Sequence, residues 1–409
     1  MNPSRHRLAV LAQIFKLIPA NLIPRLATKY GVSKRSRRFT PTSHVAALMF
    51  AQIAHSSGLN DVCDCLGHHS GPLTTMRGAV APMRNTLSNA NRVRNADMAE
   101  ALYSAVDDEL RGRNPGFALE GRRYGGIPRR FKRAISVADS STIKLVANCM
   151  DWAKHRRRKA AAKMHLRLDL HSFLPAFLVV KSAGTNDLTE AQALCAGLKP
   201  GEIVIFDKAY VGFEHLQWLT QRGVFWVTRL KEGAKYRVMG QHRKPKGNII
   251  RDVRIKLKDA KTRRKYPGEL RLVEAMVEVD SELRQMSFLT NNMDWAASSI
   301  CDLYKSRWGI EVFFKEIKQT LQIADFMGYN ENAVRWQIWI ALLVYLLLRF
   351  LAWRSKWKHA FTRLFTLIRG VLWKYLDLWS VLACCGTARG PGRARAAPEQ
   401  CYLFAYASR

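Results

Sequence analysis

The chain has 409 residues, with 66 Lys and Arg against 32 Asp and Glu, a formal charge of +34 and a pI of about 10.3. That length exceeds what one compact core organises, so two or three lobes are expected, and a basic excess spread along the whole chain makes a polyanion the natural partner, bound with salt-sensitive affinity. Eight scattered cysteines do not suggest a disulfide framework and fit a reducing compartment, and the first apolar run, LAVLAQIFKLIPANLI, reads as an amphipathic helix because Gln13 and Lys16 interrupt it and no small-residue cleavage site follows.

Residues 1–125 are expected to form a mostly helical DNA-binding domain. A basic knot, SKRSRR at 33–38, precedes a helix start at Thr40 to Ser43 that leads into HVAALMFAQIAHSSGL, and this arm is expected to touch DNA. Cys63, Cys65, His68 and His69 crowd together in DVCDCLGHH. No second ligand pair stands at metal-site spacing, and Leu59, Val62 and Leu66 are in helical phase, so the cysteines are expected to pack as small apolar residues. RNTLSNANRVRN at 84–95 reads either as a solvated connection or as a set of contacts to backbone phosphates, ahead of a helix from about Ala96 through Glu109. GRRYGGIPRRFKR at 121–133 reads as a basic linker.

From Ala134 the texture changes. AISVAD, MHLRLDL and FLPAFLVVK are strand-like, TEAQALCAGL is helical, EIVIFD is another strand ending in Asp207, and a loop and helix lead to FWVTRL. Such alternation predicts an α/β core over 126–230 and 291–352, interrupted by a basic, β-rich inserted lobe at 231–290. The apolar stretch Ile338 to Leu348 is too short to span a membrane, is bounded by Arg335 and Arg349, and reads as a core helix. Residues 353–409 are expected to form a helical region ending in a basic tail, TARGPGRARAAP at 387–398. There is no GxxxxGK[ST] run, so nucleotide-driven motor chemistry has no support.

Chemistry concentrates in LYKSRWGIEVFFKEIK. Tyr304, Arg307, Glu311 and Lys318 fall within roughly 60° on one helical wheel, with Ile310, Phe314, Ile317 and Leu321 on an adjoining apolar stripe. One edge can pack while the other works. Phosphodiester cleavage with two divalent ions needs several fixed oxygen ligands. Asp139 and Asp207, each expected at the end of a core strand, and Glu311 on the later helix supply three carboxylates in the order Asp, Asp, Glu.

These residues resemble the DDE transposases of bacterial insertion sequences, in the group marked by Y-x2-R-x3-E-x6-K, which Tyr304, Arg307, Glu311 and Lys318 match in full. VADSSTIKL resembles the first-aspartate motif of that group. IVIFDKAYVGF resembles the second, with Ala209 where glycine is usual before Tyr210. KMHLRLDLHSFLP, FTPTSHVAALMFAQ and TLSNANRVR also resemble family segments, so the likeness covers most of residues 30–350. It implies a ribonuclease H-like catalytic core and cut-and-paste transposition, in which Asp139, Asp207 and Glu311 are catalytic and hold two Mg²⁺ ions, with Mn²⁺ able to substitute. Arg307, Lys318 and Tyr304 are then expected on DNA phosphates, with Lys208, Tyr210, Lys163 and His165 as further DNA-binding candidates.

Double-stranded DNA is the implied partner, both the element's terminal inverted repeats and its target. A homodimer pairing two ends is expected, with no membrane and with a cytoplasmic, nucleoid-associated location. Excision in some relatives passes through a DNA hairpin helped by an aromatic that holds a flipped base; Trp295 and Trp308 are candidates, though both are expected in the core. A noncatalytic DNA-binding protein or repressor of the same fold, and a stand-alone nuclease, are the alternatives.

Overall fold

A computed structural model describes residues 2–33, 38–120, 131–145, 154–156, 159–182, 187–279, 282–321 and 326–384. Most of the basic knot, most of the linker and the whole tail at 387–398 lie outside the described residues.

The N-terminal lobe is helical: α1 Val10–Phe15, α2 Leu22–Lys29, α3 Pro41–Ala54, α4 Leu59–His68, α5 Ser70–Thr74, α6 Arg84–Val93, α7 Asp97–Arg113 and α8 Pro115–Glu120. The start of α3 follows from local chemistry. The Thr40 hydroxyl accepts from the Ser43 backbone N–H at 3.1 Å, and Pro41 occupies the first turn, where no N–H partner is needed. Segment 84–95 is a helix over most of its length rather than a connection. Asn, Ser and Thr favour helix weakly, but Leu87, Ala90 and Asn91 recur at helical spacing and are buried, so packing overrides propensity. In α4, Val62 and Leu66 face the core; His69, just beyond it, stacks on Trp373 with ring centroids 4.3 Å apart.

The core strands are β1 Ile135–Leu145, β2 Lys154–Arg156, β3 Lys159–Asp169 and β4 Leu174–Ser182, followed by α9 Asp187–Cys195, β5 Ile203–Phe206, α10 Phe213–Gln221 and β6 Phe225–Arg229. Then come β7 Tyr236–Gln241, β8 Ile249–Leu257, α11 Ala260–Lys265, β9 Leu270–Val279 and β10 Glu282–Thr290. Among the described residues the strands form a single 10-stranded sheet in the order β2-β3-β1-β5-β6-β10-β9-β8-β7, with β4 also on β3. β1, β3 and β4 are mutually antiparallel, while β5 and β6 run parallel to β1, each reached by a helical crossover. This mixed sheet fits a ribonuclease H-like core. The strands of segment 231–290 continue the same sheet, because β10 pairs directly with β6. A bidentate Arg271–Asp252 pair, both groups buried, ties β9 to β8, and the same guanidinium donates to the Trp295 carbonyl at 2.7 Å.

Helices α12 Ala297–Lys305, α13 Trp308–Thr320, α14 Glu331–Arg354, α15 Phe361–Val371 and α16 Leu378–Cys384 complete the fold. By length and composition α14 could cross a membrane, yet it is buried within the protein, packed by α3, α6, α7, α8, α15 and β4. Its apolar character therefore serves a core helix. Near its end Arg349 ion-pairs with Glu316 of α13 and donates to the Tyr345 hydroxyl at 2.8 Å, which locks α13 against α14.

Candidate active site

Asp139 and Asp207 are brought together by strand register. β1 and β5 pair in parallel up to Ala138 and Phe206, so the next residue of each strand is an aspartate at the same level. β1 itself continues to Leu145, paired on its other side with β3, so Asp139 marks the end of the parallel pairing and not of the strand. Alternation sets direction. Ile135, Val137, Ile203 and Ile205 face the larger core, and Asp139 and Asp207 follow in the same phase, toward α12 and α13.

The face predicted to be one continuous helix is two. α12 ends at Lys305, and α13 begins at Trp308. Between them the Ser306, Arg307, Gly309 and Ile310 N–H groups bond three residues back, to Leu303, Tyr304, Ser306 and Arg307, so the chain tightens to a 3₁₀ turn around Gly309. A 3.6-residue period cannot register that tightening. The turn keeps the helical hand, so Tyr304 and Arg307 still reach the carboxylates, with Lys318 further along α13.

Tyr304, only 7% exposed, donates from its hydroxyl to Asp207 Oδ1 at 3.1 Å. Arg307 bridges two carboxylates, from Nη1 to Asp139 Oδ2 at 3.0 Å and from Nη2 to Glu311 Oε1 at 2.8 Å. Lys318, one side of α13 further on, donates from Nζ to Ser141 Oγ and to the Thr142 carbonyl at 3.1 Å. Ile310, Phe314, Ile317 and Leu321 are buried beneath.

Electrostatics follow from this enclosure. Burial pushes the Asp139 carboxyl up to about 6; Arg307 and the Ser140 N–H pull it back down, and the charges of Asp207 and Glu311 add to the rise. Burial also raises the Tyr304 phenol, which therefore stays a donor. For Arg307 burial opposes the charge, but Tyr304, Asp139, Glu311 and Asp207 together hold the guanidinium more firmly protonated than usual. Lys318 is lowered by burial.

The remaining predicted residues fall elsewhere. On β3, Met164, Leu166 and Leu168 pack into the larger core, so Lys163 and His165, in the other phase, lie on the sheet face opposite the carboxylates. His165 and Tyr210 are both buried and bond to each other, Nδ1 to hydroxyl at 3.2 Å. Their burial does not fit the expected contact with phosphate. Lys208 reaches outward to Glu232 at 3.0 Å. Trp295 is half-buried between Phe131 and Phe225, whereas Trp308 departs from the expected core position: it is 39% exposed, beside the Arg307 guanidinium.

Asp139 and Glu311 are joined through Arg307, and Asp207 follows its strand at the level of Asp139; a donor set made only of oxygens suits a hard divalent cation. Among the described residues no three His, Cys, Asp or Glu side chains form a ready-made metal cage. The Arg307 guanidinium stands between Asp139 and Glu311 and neutralises both.

A model described as a transposase DDE domain matches residues 130–347, and one described as a domain of unknown function matches residues 6–76. Among curated proteins, the putative transposase y4zB of Sinorhizobium fredii is 32% identical over 284 residues, covering 68% of this chain and 78% of that one. The probable transposase for insertion sequence element IS5377 of Geobacillus stearothermophilus is 27% identical over 56% of this chain and 59% of its own. The transposase for insertion sequence element IS231C of Bacillus thuringiensis is 21% identical over 81% and 77%. A solved piggyBac transposase synaptic complex with hairpin DNA aligns with 98% of this chain and 91% of that one, at TM-score 0.48 and 8% identity. With the family model spanning more than half of the chain, and the relatives agreeing with it, the chain belongs to the DDE transposases of bacterial insertion sequences.

Proposed function

We propose that this transposase cuts DNA at the ends of its own insertion sequence and joins the freed 3′ hydroxyls to target DNA, using Asp139, Asp207 and Glu311 as its catalytic carboxylates. The observation that carries the reading is the shared level of Asp139 and Asp207 on adjacent parallel strands, with Glu311 tied to Asp139 through Arg307. Mg²⁺ is the ion proposed for the three carboxylates, and Mn²⁺ suits the same ligands; when bound, such ions supply charge to clamp the attacking and leaving oxygens of an in-line displacement.

The chain's own groups do the rest. Tyr304 holds Asp207 in one orientation through its hydroxyl. Arg307 is the cation nearest the carboxylates, and its fork geometry matches a phosphate as well as it matches a carboxylate, so it is the group proposed to receive the scissile phosphate. Lys318 presents a point charge further along the same helix, for the neighbouring backbone phosphate. Trp308, exposed beside Arg307, is placed to stack on a base near the cut. His165 and Tyr210 brace the sheet from behind. A homodimer is proposed because two element ends must be held together for one excision event.

Cleavage of a duplex carrying the gene's own flanking sequences, with Mg²⁺ and with wild type beside Glu311→Gln, tests this. Wild type is expected to cut at the repeat boundary. Glu311→Gln is expected to bind the same duplex and leave it intact. Normal cutting by the variant removes Glu311 from the catalytic set; binding without cutting by either protein favours a noncatalytic DNA-binding role.

A further inference from the structure

We propose that the outward face of α6 reads base edges in the major groove of duplex DNA at the element's ends, an inference that rests on the function proposed above. Leu87, Ala90 and Asn91 turn inward, the Asn91 Oδ1 accepting from the buried His44 Nε2–H at 2.8 Å. Burial holds that imidazole near-neutral, its pKa lowered to about 3. Directly opposite, Asn85, Ser88, Asn89 and Arg92 are all exposed and fall within roughly 100° of one another on the helical wheel.

The composition of this face is the first argument. A helix surface that merely meets water is filled by Glu, Lys, Gln or Ala, which favour helix; this one carries Asn, Ser and Arg, and α6 contains no acid. At Asn85, Ser88 and Asn89 helix propensity is given up at positions that packing does not use, a mismatch expected at functional surfaces, while Arg92 favours helix and adds the charge. The chosen groups are those that recognise bases: an amide pairs with the N6 and N7 edge of adenine, and a guanidinium with O6 and N7 of guanine. Arg92 already donates to Asn89 Oδ1 at 3.2 Å, so the two heads are aligned side by side. Met83 and Val93, 80% and 59% exposed at the two ends of the helix, offer apolar contact to thymine methyls and sugars. Arg84 lies at the edge of the face, where its charge acts on Cys63 of α4, which leaves the four central residues to meet the groove.

Rigid mounting is the second argument. Asn332 donates to the carbonyls of Asn91 at 2.9 Å and Arg94 at 2.7 Å, Asn330 to that of Arg92 at 3.2 Å, and Trp336 Nε1 to that of Arg94 at 2.7 Å. The C-terminal end of α6 is thus bolted to α14, in the catalytic core. A groove about 12 Å wide admits a helix of this diameter, and a fixed helix is what sequence readout requires.

The test compares binding of the full-length protein to short duplexes cut from the two flanks of its reading frame with binding to a scrambled duplex of the same composition and at the same salt. Asn89→Ala and Arg92→Ala are each expected to weaken end binding about tenfold or more while changing scrambled binding far less, so the preference collapses. Methylation of a guanine N7 in the end sequence should hinder wild type and leave Arg92→Ala indifferent. Both side chains are exposed, and unchanged melting temperatures will show that the fold is intact. An unchanged preference in the variants, or equal weakening on both duplexes, overturns the inference while leaving the transposase reading to the Glu311→Gln experiment. Wild type that prefers neither flank overturns both together.

Discussion

Replacing Asp139 by Asn should make the metal-free protein more stable at neutral pH. The Asp139 side chain is 18% exposed, and its pKa stands at about 6 against 3.8 in an unfolded chain, with burial the dominant cause and Arg307 already counted against it. The folded protein therefore keeps this proton to a higher pH than the unfolded chain does. Between about pH 4 and pH 6 the folded state binds more protons, so stability falls as pH rises through that window and levels off above it. At about 1.4 kcal/mol per unit, the gap corresponds to about 3 kcal/mol lost by pH 7.

An asparagine keeps the shape and has no charge to strip of water. Its advantage should be near zero at about pH 3 and grow to about 3 kcal/mol at neutrality. Urea unfolding of both proteins in the presence of a chelator, at steps across that range, measures it. Adding Mg²⁺ should then stabilise wild type and act much less on the variant, because an ion bound only by the folded state shifts the balance by mass action. A variant less stable than wild type at pH 7, or a difference that does not change with pH, would refute the reasoning.

Two further changes probe the frame. Arg349→Ala removes the guanidinium paired with the buried Glu316 carboxylate between α13 and α14, and should lower stability by about 3–5 kcal/mol in denaturant unfolding, with much of the loss recovered when Glu316 is made apolar as well. Asn332→Ala removes the donor that holds the last carbonyls of α6. A loss of about 1–3 kcal/mol in the same unfolding assay is expected, together with a larger drop in preference for end DNA than in scrambled binding measured by titration.

The signature Tyr304, Arg307, Glu311 and Lys318 was legible in the sequence because spacing on a near-helical segment survives small departures from ideal geometry. The break at Ser306 and Arg307 was not, since it depends on hydrogen bonds three residues back that no apolar pattern encodes. Apart from the short β2, whose KHR carries no apolar run, the strands through Phe225–Arg229 could be read from their apolar runs, and so could the apolar core helix, whose buried length exceeds the uncharged run. How the strands of segment 231–290 attach could not. Pairing of β10 with β6 joins residues some sixty positions apart, and only the assembled sheet settles it. The sheet face that carries Lys163 and His165 could not be read either, for a related reason. Each strand alternates, but which phase faces the site is fixed by antiparallel register between β1 and β3, a property of two strands. Segment 84–95 hid its helix behind weak formers, and the contacts that stabilise it, His44 with Asn91 and Asn332 with the backbone, come from far along the chain.

The proposed recognition helix and the candidate active site share one structural member. Asn332, in the first turn of α14, fixes the C-terminal end of α6, and Arg349, near the last turn, fixes Glu316 on the helix that carries Glu311. At 1.5 Å per residue the two attachments lie roughly 26 Å apart along a helix buried for most of that length. A buried helix of this kind resists bending, because close-packed neighbours on every side would have to move with it. The consequence is metric. If α6 sits in the groove of an end, the phosphate presented to Arg307 and the three carboxylates is set by the length of α14, not by a flexible tether, so cutting should fall at a fixed number of base pairs from the bases that α6 reads. Moving that recognised sequence by one base pair within the end, while keeping the repeat boundary in place, should therefore shift the cut with the recognised bases. A cut that stays at the boundary would mean that the site finds its phosphate independently of α6.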